Sequence, residues 1–323
     1  MRERAGSVWY EDHRVGSLRS DSRGAIHFRY DSDWLERGFP VSLQLPLAQD
    51  EAEVNAHAFF QGLLPEGRSR RRICRRLRID PNDDAGLLLA IGEDCAGALS
   101  ILADAREPDT DTTPPQEFTI ETIRTLVRSR GEAAPNIVET PQRFSLAGAQ
   151  EKLPVIYREG RFFQPNRNHP STHILKFETH RHVCFAEQLS LDLAKALGLV
   201  VVDASFRVFE EADGEIPYLL ISRYDRRVDD DGNVHRLHQE DMIQALGYET
   251  DFKYQSEGGP GLDAVIPLLT RETANPPEQI RRVIDWQIFN YLVGNYDAHG
   301  KNLALLYGPT SALPQLAPFY DLV

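Results

Sequence analysis

NYDAHGKNLALL, Asn295 to Leu306, sets Asn295, Asp297, His299, Gly300, Lys301 and Asn302 between two apolar stretches. An acid, a histidine, a lysine and two amides beside a buried segment suit an ordinary surface loop or a catalytic one. As a loop, the cluster caps the helical stretch PEQIRRVIDWQIFNYLVG, because short polar side chains bond nearby backbone groups. As a site, it offers an acid at Asp297 to accept or orient a hydroxyl proton. It also offers an amide oxygen at Asn302 for a hard cation, and Lys301 between them to neutralise developing charge. The rest of the chain decides between the two.

The chain has 323 residues, 41% of them apolar, which supports a sizeable core and two domains. A net charge of −13 argues against wholesale DNA binding through the body of the protein, though a local basic patch stays compatible. No apolar run approaches the roughly 18 residues of a membrane helix, so no span is expected. The start, MRERAGSVWYEDHRVG, has no apolar segment after its charges, so no signal peptide is expected. Cys74, Cys95 and Cys184 are odd in number and widely spaced, which fits a reducing cytoplasm rather than a disulfide framework. The histidines nowhere join cysteines at zinc spacing, and the loose pairs His169/His173 and His235/His238 are not read as ligands.

Residues 1–103 read as one β-rich unit. SVWYEDHRVGSL and AIHFRYD alternate apolar and polar residues, with Gly16 and the Asp21–Gly24 cluster as turns. AHAFFQGLLPEGRSRRRICRRLR reads as helical, and AGALSIL as a short strand. The Pro-, Asp- and Thr-rich stretch 104–116 reads as a linker. Residues 117–323 read as a second unit. FTIETIRTLV is an amphipathic helix, RFSLAGAQEKLPVIYREGRFFQ is strand, loop, strand and turn, and THILKFE is a strand. HVCFAEQLSLDLAKALGL is a strong helix stopped by Gly198. VVDASFRVFEEADGEIPYLLISRYDR is a hairpin around Asp213–Gly214, after which HQEDMIQALG and PEQIRRVIDWQIFNYLVG turn helical. The expected fold class is α+β: a small β-rich amino-terminal domain, then a strand-rich lobe (117–221), a hinge (222–224) and a helical lobe (225–323).

Four features carry chemistry. SLAGAQEK, 145–152, is a small-residue loop able to turn backbone N–H groups toward phosphate, or a simple turn. Lys176 sits inside the apolar strand THILKFE, where an unpaired ammonium is costly. It either lies at an edge in water or meets Glu187 on the following helix. Asp297 and Asn302 stand five residues apart, the spacing of the catalytic aspartate and metal-binding asparagine of protein kinases. Asp321 in FYDLV follows a short hairpin, LALLYGPTSALPQLA, as a second metal aspartate or a turn residue would. Each signal is weak alone. Their order of loop, strand lysine with helix glutamate, Asp-x4-Asn and aspartate is the kinase order.

With these motifs the chain resembles the HipA family of serine/threonine protein kinases, the toxins of HipBA-type modules. The resemblance rests on FFQGLLPEG and IGEDCAGALSIL in the first unit. In the second it rests on SLAGAQEKLPV, THILKFE, ISRYDRR, NYDAHGKNLALL and APFYDLV. It implies that Ser145 is the autophosphorylated loop serine and that Leu146, Ala147, Gly148, Ala149 and Gln150 cover the ATP phosphates. Lys176 would bind those phosphates with Glu187 as helix partner, and Ser222, Arg223 and Tyr224 would strap the adenine. Asp297 would be the catalytic aspartate, with Asn302 and Asp321 as Mg2+ ligands. The implied partners are a HipB-like helix-turn-helix antitoxin, operator DNA through that complex, and an aminoacyl-tRNA synthetase substrate such as the glutamyl enzyme. Relatives run on past the metal aspartate, so the helical lobe here is expected to be partial. Some carry a glutamate where Ser222 stands.

GRSRRRICRRLR holds seven arginines between Arg68 and Arg78, as a solvated helix face or a contact to DNA or an acidic partner. Three readings of the whole follow: a Mg-ATP-dependent toxin kinase, an impaired antitoxin-binding corepressor, and a two-lobed small-molecule kinase.

Overall fold

The computed structural model describes residues 3–47, 52–103, 114–128, 152–166, 168–178, 180–211, 214–308 and 313–323. Five antiparallel strands open the fold: β1 (Arg4–Tyr10), β2 (His13–Ser20), β3 (Ile26–Tyr30), β4 (Val54–Asn55) and β5 (Leu99–Ala103), in the order β4-β3-β2-β1-β5. Helices α1 (Ser32–Arg37), α2 (His57–Gly62), α3 (Gly67–Leu77) and α4 (Asp84–Ile91) lie among them in sequence. Val8, Leu18, Ile26 and Phe28 from the strands share one core with Phe60, Ile73, Leu87 and Leu88 from the helices. Each such buried side chain stabilises the fold by about 1.5–3 kcal/mol before entropy is counted.

Two expectations for this unit need correction. Gly16 is not a turn: it lies within β2 beside a register shift, and the hairpin reverses at Glu11–Asp12 with Glu11 at φ 50°. A Cβ on Gly16 would come within 2.2 Å of the Arg29 carbonyl oxygen, so the glycine serves close strand approach. The long helical run is two helices, α2 and α3, split at Leu63–Glu66, since Pro65 disfavours helical backbone at the residue before it. On α3, Ser69, Ile73 and Cys74 are buried, and Arg70 bonds Asp84 and the Pro81 carbonyl. Arg68, Arg71, Arg75, Arg76 and Arg78 are exposed, so the basic surface excludes Arg70.

The second part begins with α5 (Ile120–Arg128) and a five-stranded antiparallel sheet, order β7-β6-β8-β10-β9. Its strands are β6 (Lys152–Arg158), β7 (Arg161–Phe163), β8 (His173–Phe177), β9 (Ala204–Glu211) and β10 (Gly214–Ser222), with α6 (Val183–Ala196) between β8 and β9. Then come β11 (Arg226–Val228) paired with β12 (Val234–Arg236), β13 (Gln239–Asp241), α7 (Met242–Leu246), α8 (Leu262–Glu272) and α9 (Pro276–Val293). β14 (Ala304–Leu306) and β15 (Gln315–Leu316) complete a small sheet, β13-β14-β15. HQEDMIQALG is therefore not one helix. Gln239–Asp241 pairs with Ala304–Leu306, and Asp241 closes a capping box with Gln244 that starts α7. Among the described residues no helix is long and apolar enough to cross a membrane.

The two parts meet through buried polar contacts. Glu240 on β13 accepts from Ser42 Oγ at 2.6 Å, Leu43 N at 3.1 Å and Tyr307 Oη at 2.5 Å. Burial outweighs these donors and raises its carboxyl to about 7. An acid whose folded pKa is raised is easier to keep folded when protonated, so its contribution is full below the unfolded value and lost as pH rises toward 7. Stability should therefore fall by about 3 kcal/mol between pH 4.5 and 7 from this group. Glu240→Gln should flatten that slope in denaturant melts taken across the range, and an unchanged slope would refute the assignment.

Candidate functional site

Strand alternation places Lys176. Along β8, Leu175 and Phe177 enter a core with Ile123, Leu153 and Phe209, while Ile174 packs on the opposite core. Lys176 shares the Ile174 face, because side chains alternate across a strand. On α6, Cys184, Glu187, Leu191 and Ala194 recur at three- and four-residue steps and form its buried face. Lys176 is 3% exposed and Glu187 fully buried. The Lys176 Nζ donates to Glu187 Oε1 at 2.6 Å and to the Asp321 carboxylate.

One ammonium can bond both carboxylates but carries charge to balance only one. Burial pushes the Glu187 carboxyl up, and Lys176 does not fully offset it. Burial also raises Asp321, but Lys176 and Lys152 outweigh it and hold that carboxyl down at about 2. Burial alone would lower Lys176, and the two carboxylates raise it above its ordinary value. Asp321 itself is delivered by Phe319, whose N–H donates to Val200 O at 2.8 Å and whose carbonyl accepts from Val202 N at 3.0 Å. The chain then turns left-handed at Asp321, φ 54°, a conformation short polar side chains tolerate.

The opening segment is a braced loop. α9 stops at Gly294, φ 76°, and Asn295 N–H returns to the Asn290 carbonyl at 2.9 Å. Asn295 Oδ1 then accepts from Asp297 N at 3.1 Å, and its Nδ2 donates to the Asp321 carbonyl at 3.2 Å. Asn302 Nδ2 donates to the Asp297 carbonyl at 2.8 Å, which turns its Oδ1 the other way. Tyr320 Oη donates to the Lys301 carbonyl at 2.7 Å. The Asp297 carboxylate is 67% exposed and accepts from Tyr254 Oη. Asn295 thus ties the loop to the backbone of Asp321.

One pocket gathers Lys176, Ser222, Arg223, Tyr224, Asp297, Lys301, Asn302 and Asp321 along its walls. Ser222 and Arg223 are fixed by backbone bonds to Asp203 O (2.8 Å) and Thr172 O (2.9 Å). The Arg223 guanidinium is held by Asp225, Ser171 Oγ and the Cys95 carbonyl. Tyr224 stacks on Tyr320 at 5.8 Å. Glu187 sits behind Lys176. Ser145 and Leu146, Ala147, Gly148, Ala149 and Gln150 lie outside the described residues.

The same pocket holds residues that motif reading passes over. Lys152 opens β6 directly opposite Lys176 in register. Its signal is the alternation in KLPVIY, which sends Leu153 and Val155 to the far core and Lys152 to the pocket. Gly62, Glu66, Asp241 and Lys253 also line it. Gly62 and Glu66 come from the amino-terminal part; they sit in FFQGLLPEG, which carries the resemblance but no sign of a contact to the pocket.

Residues 6–102 match the HipA N-terminal domain family, and residues 144–323 match the HipA-like C-terminal domain family. The chain is 38% identical over 335 residues to a protein of Sinorhizobium fredii that bears the kinase name Y4mE, covering 100% of this chain and 78% of that protein. It is 31% identical over 327 residues to the serine/threonine-protein kinase toxin HipA of Shewanella oneidensis, covering 97% and 73%. A solved HipA chain from the Shewanella oneidensis MR-1 complex of HipA, HipB and operator DNA superposes with a TM-score of 0.81 at 29% identity, over 98% of this chain and 76% of that one. Two matched domain families, relatives aligned along nearly all of this chain and one shared architecture place this chain in the HipA family of serine/threonine-protein kinase toxins.

Proposed function

We propose that the protein transfers the terminal phosphoryl group of Mg-ATP to serine or threonine of a protein substrate, as the toxin of a type II toxin–antitoxin module. The observation that carries this is the Lys176 ammonium, bonded to Glu187 and Asp321 in the pocket that Asp297 and Asn302 also line. Lys176 and Lys152 would meet phosphate oxygens. Asp297 would accept or orient the hydroxyl proton, and its exposure leaves it open to a protein substrate. The backbone of Ser222–Tyr224 would hold the adenine.

Asn302 and Asp321 would hold Mg2+, since a carboxylate and an amide oxygen suit a hard cation. Among the described residues no three His, Cys, Asp or Glu side chains converge as a metal site. Kinase-type Mg2+ sites do not need three, because substrate phosphates complete them. Bound Mg2+ neutralises charge on the phosphates during transfer.

The partners proposed are a HipB-like helix-turn-helix antitoxin, operator DNA through that complex, and an aminoacyl-tRNA synthetase such as the glutamyl enzyme, all in the cytoplasm. Ser145 is the proposed site of self-modification. Incubation with Mg-ATP should add a phosphate-sized mass to the chain, and Ser145→Ala should remove that gain. No gain in the wild-type chain, with antitoxin binding intact, would replace the kinase by an impaired corepressor module.

A further inference from the structure

We infer that Glu66, on the amino-terminal part of the chain, is a positioning residue for phosphoryl transfer, holding the catalytic loop through Lys301 and Lys253. This rests on the kinase reading above.

The end of α2 and the turn after it bring Gly62 and Glu66 to the pocket wall. Lys301 is 5% exposed at its side chain, and a buried ammonium needs compensating groups. Its Nζ donates to Gly62 O at 3.0 Å, and lies 3.5 Å from Glu66 Oε1 and 3.5 Å from Asp241 Oδ2. Two of these three groups belong to the other part of the chain. Glu66 Oε2 accepts from Lys253 Nζ at 3.0 Å, whereas Oε1 is buried with no hydrogen bond and faces Lys301 as a bare charge. Burial would raise the Glu66 carboxyl, but Lys301 and Lys253 outweigh it and keep it ionised.

Lys253 carries the second route. Its carbonyl accepts from Gly300 N at 3.3 Å, inside the loop. Its ammonium lies 5.2 Å from the Tyr254 ring centroid, and Tyr254 Oη donates to Asp297 Oδ1. One carboxylate therefore braces the loop at Lys301 directly and, through Lys253 and Tyr254, at Gly300 and Asp297. Losing its charge frees the Lys301 ammonium to swing and lets the Tyr254–Asp297 contact drift, while other bonds between the two parts persist. Gln44 Nε2 donates to Ala245 O at 2.8 Å across the same junction without touching the loop, and supplies the control.

Glu66→Gln, Glu66→Asp and Gln44→Ala would be compared as full chains. Small misplacements of catalytic groups are costly, so Glu66→Gln should lower kcat about tenfold or more. The KM for Mg-ATP should stay within about threefold, since nucleotide contacts are untouched. Glu66→Asp, which keeps the charge, should recover part of the loss, and Gln44→Ala should keep the wild-type rate. Independently of activity, acylation by an amine-reactive ester, read by peptide mass spectrometry, should label Lys301 several-fold faster in Glu66→Gln. An equal kcat loss in Gln44→Ala, or an unchanged kcat in Glu66→Gln, overturns the assignment. If the wild-type chain transfers no phosphate, the kinase reading falls and labelling alone decides: unchanged Lys301 protection in Glu66→Gln overturns the role of Glu66.

Discussion

Asp297→Asn should cut phosphoryl transfer by about 10²–10⁴-fold while leaving the fold and nucleotide binding in place. The substitution keeps the shape of the side chain and removes only its charge and basicity. The carboxylate is 67% exposed, and asparagine keeps an oxygen in place to accept from Tyr254 Oη. The backbone contacts that shape the loop, Asn295 Oδ1 to Asp297 N and Asn302 Nδ2 to Asp297 O, do not involve the carboxylate. A positioned general base contributes about 10²–10⁴-fold to rate, so kcat should drop by that amount. The Mg-ATP KM should hold, because Lys176, Asn302 and Asp321 are unchanged. Melting temperature, KM and kcat measured side by side check this. Transfer retained within about tenfold of wild type would be too small a loss for a general base and would move the role to another group.

What the sequence could tell depends on how far apart the interacting residues lie. Lys176 and Glu187 are legible as a pair because an ammonium inside THILKFE needs a partner and α6 has a readable periodicity. The same periodicity reaches Leu191 and Ala194 on the buried face. The two-lobed α+β layout is legible because strand alternation and helix periodicity are local properties. Gln239–Asp241 is misread as helix because three residues are too few to display alternation, and only pairing with β14 makes them a strand. Gly16 is misread as a turn because close approach to Arg29 is a contact between strands, invisible along one of them. Lys152 is overlooked because its motif is read as loop, whereas register with Lys176 makes it part of the pocket floor. Glu66 and Gly62 are the clearest case. Nothing near LLPEG announces that it will meet a lysine on a loop at the other end of the chain.

The second large effect is on stability, at Asp94. This residue, 2% exposed, lies in the amino-terminal part and faces three arginines of the second part. Its Oδ1 accepts from Arg226 Nη2 at 2.9 Å, with Arg236 Nη2 at 3.6 Å, and Arg223 Nη1 lies 3.8 Å from its Oδ2. Its Oδ2 accepts from Ser171 Oγ at 2.6 Å and Ser171 N at 3.2 Å. Burial alone would raise this carboxyl, but the three guanidiniums outweigh it and hold it far below the carboxylate range. Asp225 is the second acid of the group, held at about 2 by Arg223 and Arg226 against its burial. Three cations and two anions are thus desolvated together. Asp94→Asn leaves three cations facing one anion, and breaking a buried pair from one side costs about 3–5 kcal/mol. At about 2–4 °C per kcal/mol for a large domain, the melting temperature should fall by roughly 10 °C. Because the folded pKa of Asp94 is depressed, its stabilisation is present above the unfolded value near 4 and disappears as pH falls below it. The gap between wild type and Asp94→Asn should therefore be full at neutral pH and close in acid. Ser171 precedes Thr172, whose carbonyl accepts from Arg223 N, so the same variant should loosen the strap at Ser222–Tyr224 and raise the Mg-ATP KM. A neutral-pH loss under about 1 kcal/mol, or a gap that does not close in acid, would mean the arginines are compensated without Asp94.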